Sequence, residues 1–307
     1  MSANRFQPTR RSCLAGIAAT AVSGTLGPPI PVRASQAPRV VVLDWGLAAT
    51  VLSLGVTPTG VPQTALYRRW LSTPSLPASV TDVGLRLQPN LEVLWRLRPD
   101  LIVTIDQHIR IRERLERIAP TLSLPVYTPN TPPLERARTV TRQLSKALDR
   151  SEAGAALLQR ADDLFDRTRA RLVELGLPPL YLADVLDARH IRLFGQRSLF
   201  GNVLDTVGLT NAWQQPTSYW GSATVGPAKL AAVPEAGWLR VTPLAATVEQ
   251  ELADSRLWAH LPFVRAGRMA HLDPVLPFGA LPSAMHFARQ IGARLPGVFG
   301  ETEAGRV

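Results

Sequence analysis

Short apolar runs alternate with stretches of helical periodicity in the first half of the chain. Residues 40–43 and 101–105 have the length and the branched composition of buried strands, and residues 125–127 predict a further short strand. Between them, residues 47–54 and 90–97 have helical spacing and end at Gly55 and at Arg98-Pro99-Asp100. Strands that alternate with helices predict a parallel α/β sheet with both faces covered.

The middle of the chain has almost uninterrupted helical periodicity. It extends over residues 134–175, with a predicted break near Ser151 and an end at Gly176 and Pro178-Pro179. Apolar and small side chains recur at helical spacing in its second part: Leu157, Leu158, Ala161, Leu164, Phe165, Thr168 and Leu172. A helix of this length between two α/β halves is expected to act as a rigid connection.

The second half repeats the first in outline. Strands are predicted at 180–186, 238–241 and 269–272, with a helix at 200–207. We therefore predict an α/β protein with two lobes joined by one long helix, and a ligand in a shallow cleft between the lobes. The predicted boundaries are 38–147 for the first lobe, 148–176 for the connecting helix and 177–303 for the second lobe.

The first 34 residues have the features of an export signal. They contain no acidic residue, and Arg10-Arg11 precedes a short apolar stretch over 14–26 that is followed by Val32-Arg33-Ala34. The paired arginines favour the twin-arginine route, with cleavage after Ala34 or, as a second choice, after Ala37. A disordered basic tail is the alternative. Cleavage would place the protein in the periplasm and remove Cys13, the only cysteine of the chain.

The net charge falls from +10 to +6 once the signal is set aside. Of the formal charge of +10, four units come from arginines of residues 1–34, and the remaining excess is scattered along the chain. The densest basic stretch, residues 110–114, contains Glu113 and has the pattern of a solvated helix. Nucleic-acid binding is therefore not expected. After the signal, no apolar segment is long enough to span a membrane, and we expect a monomer.

Signatures of catalysis and of compact metal sites are missing from the sequence. It contains no G-x-S-x-G elbow, P-loop, G-x-G-x-x-G or H-E-x-x-H motif. The histidines are far apart, so a metal site would have to be assembled from distant residues: His108, His190, His260, His271 and His286. We expect no catalytic residue, no cofactor and no metal bound directly by the protein.

Three tryptophans lie in turn-rich segments between the predicted elements. Trp70, Trp213 and Trp220 could be ordinary core residues. At the mouth of a cleft they would instead supply flat apolar walls with a donor nitrogen, which suits a bulky amphipathic ligand.

An ordered series of short motifs resembles the periplasmic siderophore-binding protein family, and within it the ferric hydroxamate-binding members. The resemblance covers nearly all of the chain after the signal. The segments that carry it include Asp82-Val83-Gly84-Leu85-Arg86, Pro89-Asn90-Leu91-Glu92, Arg98-Pro99-Asp100, Asp187-Ala188-Arg189-His190, Asn211-Ala212-Trp213-Gln214, Tyr219-Trp220-Gly221-Ser222, Pro262-Phe263-Val264-Arg265-Ala266-Gly267-Arg268 and Ser283-Ala284-Met285-His286-Phe287.

The resemblance implies a protein that binds a ferric hydroxamate siderophore in a shallow aromatic cleft and delivers it to an inner-membrane ABC permease. Iron would be held only by the oxygens of the siderophore. By the match, Arg86 is the polar anchor for the hydroxamate oxygens, with Trp70, Trp213, Trp220 and Ser222 around the cleft. Glu92 matches the acid that docks the first lobe on the importer. A structural role remains open for Arg86, either as a loop cap or as an ion-pair partner of Asp82.

The chain departs from the family pattern at several cleft positions. His108 stands where the family has a tyrosine, and this makes us expect binding that depends on pH. Leu276 and Phe278 stand near the last cleft loop in place of two aromatics, and the docking acid of the second lobe falls near Ala228 and Lys229. These departures favour a different hydroxamate or a mixed-ligand siderophore as the ligand. A catecholate, ferric citrate, haem or corrinoid ligand is the alternative within the same class of binding proteins. An exported siderophore hydrolase is a more distant alternative.

Overall fold

The protein is a two-lobed α/β structure, described here for residues 38–299 of a computed structural model. Each lobe contains a five-stranded sheet. The predicted export signal and its cleavage sites lie outside the described residues. Within residues 38–299, none of the helices combines the length and the hydropathy needed to cross a membrane. The expectation of a two-lobed α/β fold is confirmed.

The first lobe is built on a fully parallel sheet with the strand order β3-β2-β1-β4-β5. Its strands are β1 Val40–Val42, β2 Gly60–Val61, β3 Thr81–Asp82, β4 Leu101–Thr104 and β5 Thr121–Ser123. The helices of this half are α1 Trp45–Ser53, α2 Thr64–Trp70, α3 Leu91–Leu97, α4 Arg112–Glu116 and α5 Pro133–Ala147, with a 3-10 helix at Asp106–Ile111. The parallel order brings the carboxyl ends of all five strands to one edge of the sheet.

A 23-residue helix, α6 Ser151–Val173, follows the first lobe. At 1.5 Å per residue it extends about 34 Å. Its buried positions follow the predicted face and include Leu157, Ala161 and Phe165. The predicted break before it is present between α5 and α6, and Gly154 lies so close to Ser145 of α5 that a Cβ would have no room.

The second lobe has a mixed sheet with the strand order β10-β9-β6-β7-β8. Its strands are β6 Leu180–Val185, β7 Ile191–Phe194, β8 Ser222–Val225, β9 Gly237–Arg240 and β10 Met269–His271. Its helices are α7 Leu199–Thr206, α8 Ala246–Ala253, α9 Arg256–Ala259, α10 Pro262–Arg265 and α11 Leu281–Phe299, with a 3-10 helix at Pro227–Ala232.

Two local predictions differ from the structure. Residues 125–127 are not a strand, because β5 ends at Ser123 and the segment after it turns toward the second lobe. The second half does not simply repeat the first, because β7 pairs antiparallel with both β6 and β8. The hairpin turn between β6 and β7 makes that pairing possible without a crossover helix.

One hydrophobic core extends across both lobes. It joins Val42 and Leu47 of the first lobe to Phe194, Leu239 and the buried face of α11 in the second. The C-terminal helix α11 packs against α6, α1 and α7, so it contacts elements of both halves. Gly46 marks the closest approach, since a Cβ there would lie 2.9 Å from the backbone nitrogen of Ala280.

Candidate ligand-binding site

A cavity of about 400 Å³ opens between the two lobes at the carboxyl edge of the first sheet. Loops that follow β1, β3, β4 and β5 supply one wall, and β7, the start of β8 and the loop before α11 supply the other. This is the edge at which open α/β sheets bind ligands. The lining residues are Leu43, Asp44, Arg86, Leu87, Ile105, Asp106, Gln107, His108, Pro125, Val126, Tyr127, Arg192, Trp220, Ser222 and Phe278.

Arg86 lies on the exposed loop between β3 and α3. Its guanidinium carbon is 4.3 Å from the ring centroid of the buried Trp45, in a cation–π contact that holds the side chain in the cavity. Asp82 is engaged elsewhere, because its carboxylate accepts hydrogen bonds from the backbone nitrogens of Gln63, Thr64 and Gly84. No ion pair among residues 38–299 joins Asp82 to Arg86.

His108 is buried at the bottom of the same wall. Its Nε2 lies 2.6 Å from the backbone oxygen of Arg86, and its Nδ1 lies 2.6 Å from Oγ1 of Thr104. A carbonyl only accepts, so Nε2 donates to Arg86. In the neutral ring Nδ1 then accepts from the Thr104 hydroxyl. Both ring nitrogens are therefore occupied by the protein.

Asp44 adds a carboxylate that the sequence analysis missed. It caps α1, with Oδ1 accepting from the backbone nitrogen of Leu47 at 2.9 Å. Burial raises the pKa of this carboxyl, although the bond from Leu47 and the positive charge of Arg86 act in the opposite direction. Ionisation of Asp44 therefore costs free energy in the folded protein, and Leu47 and Arg86 offset only part of that cost.

Aromatic rings from both lobes meet around the cavity. Tyr127 lies with its ring centroid 5.4 Å from Trp220 and 6.0 Å from Phe278, and the last two are 5.8 Å apart. The contact is fixed by hydrogen bonds across the cleft, because Tyr219 donates to the backbone oxygen of Tyr127 at 2.6 Å. The Tyr127 hydroxyl in turn donates to the oxygen of Pro277 at 3.2 Å. The aromatic rings of the two lobes therefore form a continuous apolar wall.

The charges that line the cavity are nearly balanced. Arg192 is paired with Asp184 at 2.9 Å, outside the lining. Arg86 is then the one cation of the described lining that forms no ion pair. Asp44 and Asp106 line the same space, and the charge of Arg86 acts on Asp44. The cavity consequently offers one free guanidinium for an acceptor ligand and no convergence of cations for a highly charged anion.

Five of the predicted ligand-binding residues lie together in the lining: Arg86, His108, Trp220, Ser222 and Phe278. Trp70 and Trp213 lie outside it. Trp70 ends α2 and packs against the core, whereas Trp213 lines a separate hollow with Arg197, and its buried Nε1 has no partner among the described residues. Glu92 is exposed in the first turn of α3.

The sequence reasoning missed several lining residues for identifiable reasons. Tyr127 was assigned to a strand, and Arg192 belongs to β7, which was not predicted. Asp44, Asp106 and Gln107 directly follow β1 and β4. The rule that ligands bind beyond the carboxyl ends of parallel strands would have identified these three positions.

Comparison with known proteins finds relatives that are binding proteins. A family model described as periplasmic binding protein matches residues 40–276. The chain is 37% identical over 259 residues to the iron(3+)-hydroxamate-binding protein FhuD of Escherichia coli (strain K12), covering 84% of this chain and 87% of that protein. It is 26% identical over 236 residues to the Fe(3+)-citrate-binding protein YfmC of Bacillus subtilis (strain 168), with 76% and 73% covered. A solved structure of the siderophore-binding protein FhuD from Vibrio cholerae with Fe3+–Desferal matches with a TM-score of 0.81 at 30% identity, covering 86% of this chain and 99% of that chain.

Proposed function

This chain belongs to the periplasmic binding protein family, and from that premise we propose that it binds ferric hydroxamate siderophores and delivers them to an ABC importer. The observation that carries the proposal is Arg86, a guanidinium without an acidic partner among the described residues, held on Trp45 at an aromatic-walled cavity between the lobes. Iron enters as cargo, with its coordination shell already filled by the siderophore.

The chemistry of a ferric hydroxamate fits this cavity. Each coordinated hydroxamate presents oxygens with partial negative charge and unused lone pairs around an otherwise apolar complex. A guanidinium offers a planar fork of donors that can reach two such oxygens. Tyr127, Trp220 and Phe278 can contact the carbon skeleton of the ligand, and Ser222 adds a hydroxyl beside them.

Charge distinguishes hydroxamates from ferric citrate and ferric catecholates. Ferric citrate and ferric tris-catecholates are anionic and need several converging cations. Here Asp44 and Asp106 share the lining with Arg86, and Arg192 is neutralised by Asp184. The balance favours a ligand of low net charge, although one relative of this chain is named as a ferric citrate-binding protein.

An equilibrium titration tests this assignment. Ferrichrome, ferrioxamine B, ferric citrate and a ferric tris-catecholate are added separately while the tryptophan fluorescence is recorded. We expect quenching that saturates with the two hydroxamates and much weaker binding of the two anionic chelates. Tight binding of citrate or catecholate without hydroxamate binding contradicts the proposal. Recovery of ferrichrome unchanged after incubation separates binding from hydrolysis.

We propose that the protein acts in the periplasm after removal of residues 1–34, and that Glu92 contacts the permease. Glu92 is exposed at the start of α3, one turn before Trp95, whose side chain is 66% exposed. Glu92→Arg should lower siderophore uptake by cells about tenfold or more, since it reverses a docking charge. Its affinity for ferrichrome should stay at the wild-type value. Unchanged uptake, or a loss of ligand affinity, contradicts this role.

N-terminal sequencing of the exported protein tests the cleavage site.

A further inference from the structure

We propose that His108 is a positioning residue that fixes the ligand-binding arginine through its backbone, and that it does not bind the siderophore itself. The inference rests on the proposed function only for its effect on affinity. The contact between His108 and Arg86 belongs to the protein alone and can be tested without ligand.

The geometry of the ring assigns this role. Nε2 of His108 donates to the oxygen of Arg86 at 2.6 Å, and Nδ1 meets the Thr104 hydroxyl at 2.6 Å. Because Thr104 ends β4 and is itself buried, the ring is anchored to the sheet. No ring nitrogen of His108 remains free to bind a ligand. His108 is also only 2% exposed, so little more than one edge of its ring faces the cavity.

Apart from the stacking of the Arg86 side chain on Trp45, the loop that His108 holds has few attachments at its tip. Leu85 and Leu87, on either side of Arg86, are 54% and 58% exposed. Gly84 and Asn90 are held at the base of the loop by hydrogen bonds with Gln63 and Val83. Among the hydrogen bonds within residues 38–299, the one from His108 ties the tip, residues 85–88, to another part of the chain.

His108 also connects loops from distant strands. Arg86 follows β3, at one edge of the first sheet, whereas His108 follows β4 on the far side of β2 and β1. The ring therefore bridges the carboxyl edge of the sheet and sets the position of Arg86 relative to the other cavity walls. A tyrosine hydroxyl at this place could point into the cavity, but a ring bonded at both nitrogens cannot turn toward the ligand without breaking a bond.

Limited proteolysis tests the contact without any ligand. Trypsin can cut after Arg86, and the rate of that cut reports how often the tip leaves its folded position. His108→Phe keeps an aromatic ring and removes both hydrogen bonds, of which only the one to the Arg86 oxygen holds the tip. We therefore expect cleavage at Arg86 to accelerate about three- to tenfold, as loss of that one hydrogen bond would produce. Thr104→Val, which preserves volume, should accelerate it less. His260→Phe is the matched control, because it removes a ring-to-backbone bond of 2.7 Å to Arg256 on the outside of the second lobe.

A double-mutant cycle tests how His108 affects affinity for ferrichrome. We expect His108→Phe to weaken binding about three- to tenfold in the wild-type background and to have no further effect in Arg86→Ala. Additive losses would overturn the proposal, because they would show that His108 acts independently of the Arg86 side chain. Wild-type cleavage rates at Arg86 in both His108→Phe and Thr104→Val would overturn it as well. If no variant or wild type binds a hydroxamate, the proposed function fails, and the cleavage rates still decide the role of His108.

Discussion

Replacing Arg86 by alanine should remove most of the polar recognition in the cavity. The guanidinium stacks on Trp45 and faces the space where the hydroxamate oxygens would lie. Charge-assisted hydrogen bonds contribute about 1.5–3 kcal/mol each. Loss of one or two of them should raise the dissociation constant roughly tenfold to a thousandfold or more. Because water is partly excluded by the aromatic wall, values at the upper end are expected.

The fold should tolerate this substitution. Arg86 lies on an exposed loop, and the stacking on Trp45 contributes roughly 0.5–1 kcal/mol at an exposed site. The free energy of unfolding of Arg86→Ala should therefore fall by no more than about 1 kcal/mol. Arg86→Lys should recover only part of the affinity, because an ammonium cannot donate to two oxygens in the geometry of a guanidinium.

Titration of the purified variants with ferrichrome measures the effect, with quenching of tryptophan fluorescence as the signal. Arg160→Ala is the control, because Arg160 is exposed on α6, outside the cavity lining. Urea denaturation of the same samples separates affinity from stability. If Arg86→Ala binds like wild type, or loses binding only in proportion to its unfolding, then Arg86 is structural and the binding site is elsewhere.

Two further predictions concern the neighbourhood of the cavity. Asp44→Asn keeps the cap of α1 and removes a carboxylate whose pKa is raised by burial. Above that raised pKa, the buried charge lowers the free energy of unfolding of the wild type. This loss becomes smaller as the pH falls toward the ordinary pKa of 3.8. In urea denaturation the variant should be more stable than wild type by on the order of 1 kcal/mol at neutral pH, with a difference that shrinks on acidification; a constant or reversed difference contradicts this. Gly46→Ala should destabilise the protein by about 1–3 kcal/mol, since the new methyl group meets the backbone at Ala280. Gly297→Ala, with nothing within 4 Å of the added Cβ, should be neutral or slightly stabilising in the same measurement, and equal effects of the two changes would refute the argument.

The amino-acid pattern predicted the elements that have a regular hydrophobic period. β1, β4, α3 and α6 lie within two or three residues of their predicted ends, because burial of a continuous apolar face sets their positions. The antiparallel hairpin of β6 and β7 was not predicted, because β7 is a short strand with a charged residue, Arg192, on one face.

The site was predicted less completely, since it depends on contacts between distant segments. The sequence offered Asp82 as the natural partner of Arg86, four residues away, but Asp82 is saturated by backbone amides. It could not show that His108, distant in sequence, bonds to the backbone of Arg86. Likewise, Tyr127 lines the cavity because the chain turns away from the sheet after β5. The apolar residues beside Tyr127 predicted a strand there and gave no sign of this turn.

The core that extends through both lobes limits how much the shape of this protein can change when a ligand binds. Because Leu47, Phe194 and the buried face of α11 belong to one packed cluster, the lobes cannot separate widely without exposing apolar surface to water. In the proposed delivery to a permease, filled and empty molecules would then present nearly the same surface, and empty molecules would compete with filled ones for one docking position. Import would then depend on the ratio of filled to empty protein as well as on the amount of siderophore, and an excess of unloaded protein would slow it.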